Sequence, residues 1–143
     1  MANSASIESA RDHTTPVVEL RVQADPAQLS VLRAVAAAIA LQHDFDLDTV
    51  ADVKLAVDEA ATRLIMGAPD DATLSCSFQL VPGRLRVALA APTENAAAIG
   101  QPRSFGWHVL NSLTDSISVS SEEREGGTVS TIDMSIVEGS AAR

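Results

Sequence analysis

The sequence has 143 residues and a mass of 14.9 kDa, a size typical of one domain. A composition with 46% hydrophobic and 20% charged residues argues against wholesale disorder. A chain of this length can also bury a core without a disulfide or a metal. Its net charge of −9 argues against a surface that binds nucleic acid or an anionic membrane, because both need clustered cations.

Few residues are suited to metal binding or to export. One cysteine, Cys76, excludes an internal disulfide and a cysteine-based zinc site, and the three histidines show no ligand spacing, so no metal site is predicted. No apolar run approaches the ~20 residues that span a bilayer, and residues 1–15 lack the hydrophobic core of a signal peptide. We therefore expect a cytoplasmic protein.

The first half of the chain predicts one strand and two helices. Residues 1–15 read as a flexible tail, 16–138 as a single domain and 139–143 as a flexible C-terminus. Apolar alternation predicts a strand over Val17–Gln23, and Asp25-Pro26 begins a helix that reaches about Gln42. A second helix, from near Asp46 or Asp48 to Met66, is indicated by apolar residues at helical spacing.

The second half predicts two hairpins around a short helix. Clean alternation gives a strand over Thr73–Leu80, and a returning strand over Leu85–Leu89 follows the turn at Pro82-Gly83. The segment 90–103 reads as a loop, and 105–113 as a helix. A strand from Ile117, a turn over 122–127 and a strand over 129–137 complete the chain. This order predicts an α/β two-layer sandwich, with a mixed, largely antiparallel sheet covered by helices on one face.

Two segments resemble a known family. They are the helix Val50-Ala-Asp-Val-Lys-Leu-Ala-Val-Asp-Glu-Ala-Ala-Thr-Arg-Leu-Ile65 and the stretch Ser104-Phe-Gly-Trp-His-Val-Leu110. With the element order, they resemble anti-sigma factors of the RsbW type, small members of the GHKL ATPase and kinase superfamily, and in particular the actinobacterial anti-sigma-F factors. The resemblance covers roughly residues 17–134 and implies the GHKL, or Bergerat-like, fold.

The family's nucleotide-site helix carries the motif E-A-x-T-N, which here reads Glu59-Ala60-Ala61-Thr62-Arg63. By resemblance, Glu59 is the general base for phosphate transfer to a serine of a partner. Arg63 replaces the asparagine that ligates Mg²⁺, and a guanidinium has no acceptor atom for a cation. The two residues are also spaced for an i,i+4 ion pair, so a helical salt bridge and contact with a ligand or partner are both open.

The other nucleotide motifs are altered as well. Where the family has D-x-G-x-G, with an aspartate for adenine, this chain reads Ala90-Ala91-Pro92-Thr93-Glu94-Asn95. The phosphate-binding G-x-G is reduced to Ser104-Phe105-Gly106, and Gly127-Thr128 resembles the late Gly-Thr of the pocket. By resemblance, Arg63, Ser104, Gly106, Gly127 and Thr128 correspond to positions that hold ATP or ADP with Mg²⁺. The segment available for a lid is short.

These features lead to competing functions. The first is an anti-sigma factor with a degenerate nucleotide site, and it sequesters an alternative sigma factor. A STAS-type anti-anti-sigma factor controls it by partner switching, as part of a stress response. The second is an active serine/threonine kinase that uses ATP to phosphorylate the anti-anti-sigma partner. A GHKL-like dimerisation module is a third. The resemblance also implies a homodimer.

Cys76 and Arg33 are each open to two interpretations, and Trp107 to one. Cys76 alternates with core positions, which favours a buried inert thiol over a redox sensor. Trp107 is expected to be partly core, beside the former phosphate loop. Arg33 is either a solvated residue or a partner contact.

Overall fold

The computed structural model describes residues 17–94 and 104–139. The predicted tail over 1–15, most of the predicted C-terminal segment and residues 95–103 of the predicted loop lie outside this range. In chain order the elements are β1 (Val17–Gln23), a short 3-10 turn (Pro26–Gln28), α1 (Leu29–Gln42), α2 (Leu47–Met66), β2 (Thr73–Val81), β3 (Arg84–Thr93), α3 (Phe105–Leu113), β4 (Ser116–Arg124) and β5 (Gly127–Val137).

Polar side chains cap the 3-10 turn, α2 and α3, whereas α1 continues from the 3-10 turn without a side-chain cap of its own. Asp25 Oδ1 accepts a hydrogen bond from the Ala27 amide at 2.8 Å, so the predicted start at Asp25-Pro26 is confirmed. Asp46, of the two starts considered, is the N-cap of α2, since its carboxylate accepts from the Thr49 amide at 2.7 Å. Ser104 caps α3, which places that residue at the end of the helix nearest to α2.

The sheet has five strands in the order β1-β2-β3-β5-β4, and every described pair is antiparallel. Both predicted hairpins are present. The expectation of a largely antiparallel sheet is confirmed, and the described residues contain no parallel pair that would make it mixed. The last strand, β5, is inserted between β3 and β4.

The core lies between the helices and one face of the sheet. Alternate residues of the central strands point to this face and are fully buried, as are the inner sides of α1 and α2. The opposite face of the sheet carries serines, threonines, alanines and a few charges. The two-layer α/β sandwich, with helices on one face, is therefore confirmed. Among the described residues, no helix is both long and apolar enough to cross a bilayer.

Two strands are longer than the sequence predicted. β3 continues through Ala90–Thr93, where a loop was expected, because these residues pair with β5 as far as Thr93 opposite Thr128. Pro92 is tolerated because β2 pairing ends at Ala90, so its missing N–H breaks no ladder on that side. β4 likewise continues to Arg124, which shortens the predicted turn over 122–127.

Candidate functional site

The site predicted from the sequence lies between the C-terminal half of α2 and the first turn of α3. Glu59 and Arg63 are four residues apart on α2 and both are half-buried against α3. Both side chains converge on Gly106, whose position in the first turn of α3 brings its backbone into direct contact with them. Four of the six predicted site residues, these three and Ser104, are therefore neighbours in space.

Arg63 joins the two helices. Its Nη1 donates a hydrogen bond to Ser104 Oγ at 2.9 Å, and the same Oγ accepts from the Trp107 amide at 3.1 Å as the N-cap of α3. The guanidinium carbon lies 5.9 Å from the centroid of the Trp107 ring, within the range of a cation–π contact. Arg63, Ser104 and Trp107 thus form a clasp, which we call the α2–α3 clasp.

The absence of a side chain on Gly106 leaves room for the Glu59 carboxylate. A Cβ on Gly106 would lie 2.1 Å from Glu59 Oε2, closer than real Cβ contacts, and 3.1 Å from Arg63 Nη1, which is a tight contact, so both side chains would have to shift. The carboxylate also lies at the N-terminal end of α3, where helix dipoles favour negative charge. Glu59 therefore occupies the position that an anionic ligand of the α3 N-terminus would take.

The described contacts of Gly127 and Thr128 are with strand residues and not with the cluster on α2 and α3. They begin β5, where Gly127 pairs with Arg124 and Thr128 pairs with Glu123 on one side and Thr93 on the other. Gly127 has a φ of 137°, which suits glycine at the hairpin turn, so the turn alone explains it.

The residues do not fit a nucleotide with Mg²⁺ of the family type. Arg63 replaces the asparagine that ligates Mg²⁺ in the family motif, its guanidinium has no acceptor atom for a cation, and its Nη1 donates a hydrogen bond to Ser104 Oγ. Among the described residues, no group of three or more His, Cys, Asp or Glu is arranged to hold a metal. The segment that corresponds by resemblance to the family's D-x-G-x-G motif begins at the end of strand β3 and lacks the aspartate of that motif.

Sequence reasoning missed two polar contacts near the site. Arg33 Nη1 on α1 donates to Asp58 Oδ1 on α2, so Arg33 is paired between helices and is not simply solvated. The spacing of 25 residues gives no local signal for this pair.

The second missed contact is a chain of hydroxyl groups across the sheet. Thr93 Oγ1 lies 2.8 Å from Ser130 Oγ, which lies 2.9 Å from Ser121 Oγ. Thr93 and Ser130 are buried, so the hydrogen bonds offset the cost of burying both hydroxyls. Extending the alternation Leu89, Ala91, Thr93 through Pro92 would have indicated the inward position of Thr93.

Four of the described titratable groups have perturbed pKa values, and one of them is Arg86, whose pKa is raised by its hydrogen bond to Asp133 and by the charge of that carboxylate. Burial raises the pKa of the Cys76 thiol to about 12, which supports the interpretation of an inert core thiol. Hydrogen bonds from the Thr49 side chain and amide lower the pKa of Asp46. Partial burial, with the nearby charges of Asp48 and Asp46, raises the pKa of Asp52.

Comparisons with known proteins identify the family of the chain. Residues 22–134 match the family described as histidine kinase-like ATPase domain. Two curated relatives, from two strains of Mycobacterium tuberculosis and both named anti-sigma-F factor RsbW, are 37% identical over 125 residues, which is 87% of this chain and 74% of theirs.

Two solved structures are similar to the chain to different degrees. The structure of the RsbU and RsbW domains of Rv1364c from Mycobacterium tuberculosis has a TM-score of 0.63 at 15% identity, and the match covers 86% of this chain and 32% of that one. A histidine kinase domain from Erythrobacter litoralis has a TM-score of 0.48 at 15% identity, covering 80% of this chain and 61% of that one. The first of these likenesses supports the fold, and it concerns the fold alone.

Proposed function

The chain belongs to the histidine kinase-like ATPase domain family and is similar to its RsbW members, and from this premise we propose that it is an anti-sigma factor that acts by binding. In this proposal it sequesters an alternative sigma factor without transferring phosphate. A protein of this kind acts where RNA polymerase acts, in the cytoplasm. The proposal joins the likeness to proteins named anti-sigma-F factor with the altered site on α2 and α3.

The observation that carries the proposal is the α2–α3 clasp. Phosphoryl transfer depends on a metal and on positioned cations that neutralise the transferred group. Here a fixed cation, Arg63, replaces the Mg²⁺-ligating asparagine of the family motif. It donates a hydrogen bond to Ser104, the N-cap of α3, while Glu59 lies against Gly106. The clasp supports binding without chemistry, because the side chains that would serve a nucleotide serve the packing of two helices.

The charge of the chain is consistent with such a partner. A net charge of −9 attracts a basic protein surface and speeds its association at low salt. We also propose that a STAS-type anti-anti-sigma factor competes for the chain and that the chain acts as a homodimer. Both proposals rest on the likeness to RsbW proteins.

Co-purification tests the proposal. The full chain is incubated with purified sigma-F-type factors of its source organism, with and without Mg-ATP, and transcription from a dependent promoter is measured in parallel. We expect a stable complex and inhibited transcription, both indifferent to nucleotide. A chain that binds none of these factors and leaves transcription unchanged would contradict the proposal.

Radiolabelled ATP distinguishes the kinase alternative. The chain is incubated with labelled ATP and the candidate anti-anti-sigma protein, with Glu59→Ala as the matched variant. We expect no transfer of label above background. Transfer that the Glu59→Ala variant abolishes would establish the kinase and overturn the interpretation of the clasp.

A further inference from the structure

The outward side of α2 carries large apolar side chains where a two-layer sandwich is normally polar. Leu47, Leu55 and Met66 are 76%, 55% and 81% exposed. Their spacings of eight and eleven residues correspond to about two and three helical turns, so they share one broad side of the helix. Ala51, exposed between the leucines, continues the line. We call Leu47, Ala51, Leu55 and Met66 the α2 ridge.

Phe105 extends this apolar surface beyond the helix. It is 82% exposed and directly precedes Gly106, whose backbone contacts Glu59 and Arg63 on α2. Arg63 lies about one turn before Met66, so Phe105 borders the C-terminal half of the ridge. Exposed apolar groups gathered on one side of the molecule mark interaction sites more often than scattered ones do.

The charge around the ridge specifies the kind of partner. Residues 43–71, which hold α2 and its flanking turns, contain eight carboxylates and two cations, a net charge of −6 within a chain total of −9. Asp44, Asp46 and Asp48 are exposed at the N-terminal end of the ridge, and Asp70 and Asp71 at its other end. By contrast, the outer face of the sheet carries Arg21, Arg84 and Arg86 among its few charges.

We propose that the α2 ridge, together with Phe105, is the docking surface for a basic amphipathic helix of the sequestered sigma factor. The proposal rests on the proposed function and adds the contact surface. The ridge is about 30 Å long, the length of a helix of about 20 residues. The apolar side of that helix packs on the leucines, Met66 and Phe105, and its lysines and arginines face the carboxylates at both ends.

Substitutions on the ridge test this surface in the full chain. The double variant Leu55→Gln/Met66→Gln replaces two exposed side chains with glutamine, a good helix former of similar size, so we expect it to keep the fold. Circular dichroism and urea unfolding verify this. We expect it to weaken binding of the sigma factor by about tenfold or more. The matched control is Val18→Gln, since Val18 is 43% exposed on β1, at an edge of the sheet, and we expect it to change binding by less than about twofold.

A charge variant tests whether the carboxylates beside the ridge attract a basic partner. Asp44→Asn/Asp48→Asn removes two carboxylates beside the ridge, and we expect the association rate at low salt to fall by about threefold or more while its salt dependence decreases. Surface plasmon resonance at two salt concentrations measures both quantities.

The outcomes separate this inference from the proposed function. A wild-type chain that binds no sigma factor contradicts the function, and with it the occupant of the ridge. Wild-type binding that the ridge variants leave unchanged contradicts the docking surface alone. If sedimentation shows that the ridge variants convert a wild-type dimer to a monomer, a second copy of the chain covers the ridge and the proposal is overturned.

Discussion

At the scale of single residues, the lack of a side chain at Gly106 determines where the Glu59 carboxylate can lie. A Cβ there would lie 2.1 Å from Glu59 Oε2, so alanine forces the carboxylate away from the N-terminus of α3. We expect Gly106→Ala to destabilise the wild-type chain more than it destabilises a Glu59→Ala chain, with a coupling energy of about 0.5 kcal/mol or more. Urea unfolding of the four proteins of this cycle measures the coupling, and additive effects would show that the contact is unimportant.

Asp52 provides a residue-scale prediction with a defined pH dependence. Its raised pKa means that the folded state holds the proton more tightly than the unfolded state, so the charged carboxylate destabilises the fold as pH rises through that pKa. We expect Asp52→Asn to raise the free energy of unfolding at pH 7 by about 0.2–0.5 kcal/mol, because it removes a partly buried charge and relieves the i,i+4 repulsion with Asp48.

The advantage of asparagine disappears as pH falls below the ordinary range of carboxyl groups, where both states of the wild type are protonated. Asp58→Asn is the matched control, because it removes a carboxylate that pairs with Arg33 and is expected to lower stability. Urea unfolding at pH 7 and at acidic pH measures both variants. Equal stability of Asp52→Asn and wild type at pH 7 would contradict the interpretation.

At the scale of elements, the α2–α3 clasp accounts for how a short helix of nine residues is held against its neighbour. We expect Arg63→Ala to lower the free energy of unfolding by about 1–2 kcal/mol, since it removes a hydrogen bond to Ser104 and a contact with the Trp107 ring. Because Trp107 is the only tryptophan, its fluorescence emission should shift as well.

Arg86→Ala is the control for this experiment. Arg86 pairs with Asp133 on the exposed face of the sheet, away from α3, so its loss should cost about 1 kcal/mol or less. It should leave the tryptophan emission unchanged. A clasp variant with wild-type emission and stability would show that Arg63 does not hold the two helices together.

Elements were easier to predict than contacts between them. The starts at Asp25 and Asp46 and both hairpins follow from local rules of capping and alternation, which nearby residues determine. The extent of β3 was mispredicted because Pro92 normally ends a strand, and only the end of β2 pairing explains why it does not. The pair of Arg33 with Asp58 depends on how α1 packs on α2, which no local pattern encodes.

The site was predicted in the same uneven way. Family resemblance brought Glu59, Arg63, Ser104 and Gly106 together, and these four are neighbours in space. Their assigned roles in nucleotide binding stay predictions. The part played by Trp107 was not predictable, because a cation–π contact depends on the orientation of side chains on two separate helices.

At the scale of the whole molecule, the arrangement of the site predicts the response to nucleotide. A ligand that binds the folded state at 100 times its Kd adds about 2.7 kcal/mol, which raises the melting temperature by several degrees. We expect about 1 mM Mg-ATP to raise it by less than about 1 °C, because Arg63, which cannot ligate a cation, replaces the Mg²⁺-ligating asparagine of the family motif. Differential scanning fluorimetry measures the shift, with Arg63→Asn as the comparison, and a rise of several degrees in the wild type would disprove the prediction.

The position of β5 in the sheet has a consequence for the order of folding. β5 lies between β3 and β4, so the three neighbouring strands β1, β2 and β3 are joined to β4 in one sheet only through β5. During synthesis the earlier strands and helices therefore leave the ribosome without the strand that connects them. The sheet, and with it the positioning of α3 over its core, is completed only after β5 has been made, since such distant pairings form late. An incomplete chain consequently presents α1 and α2 without the finished scaffold behind them.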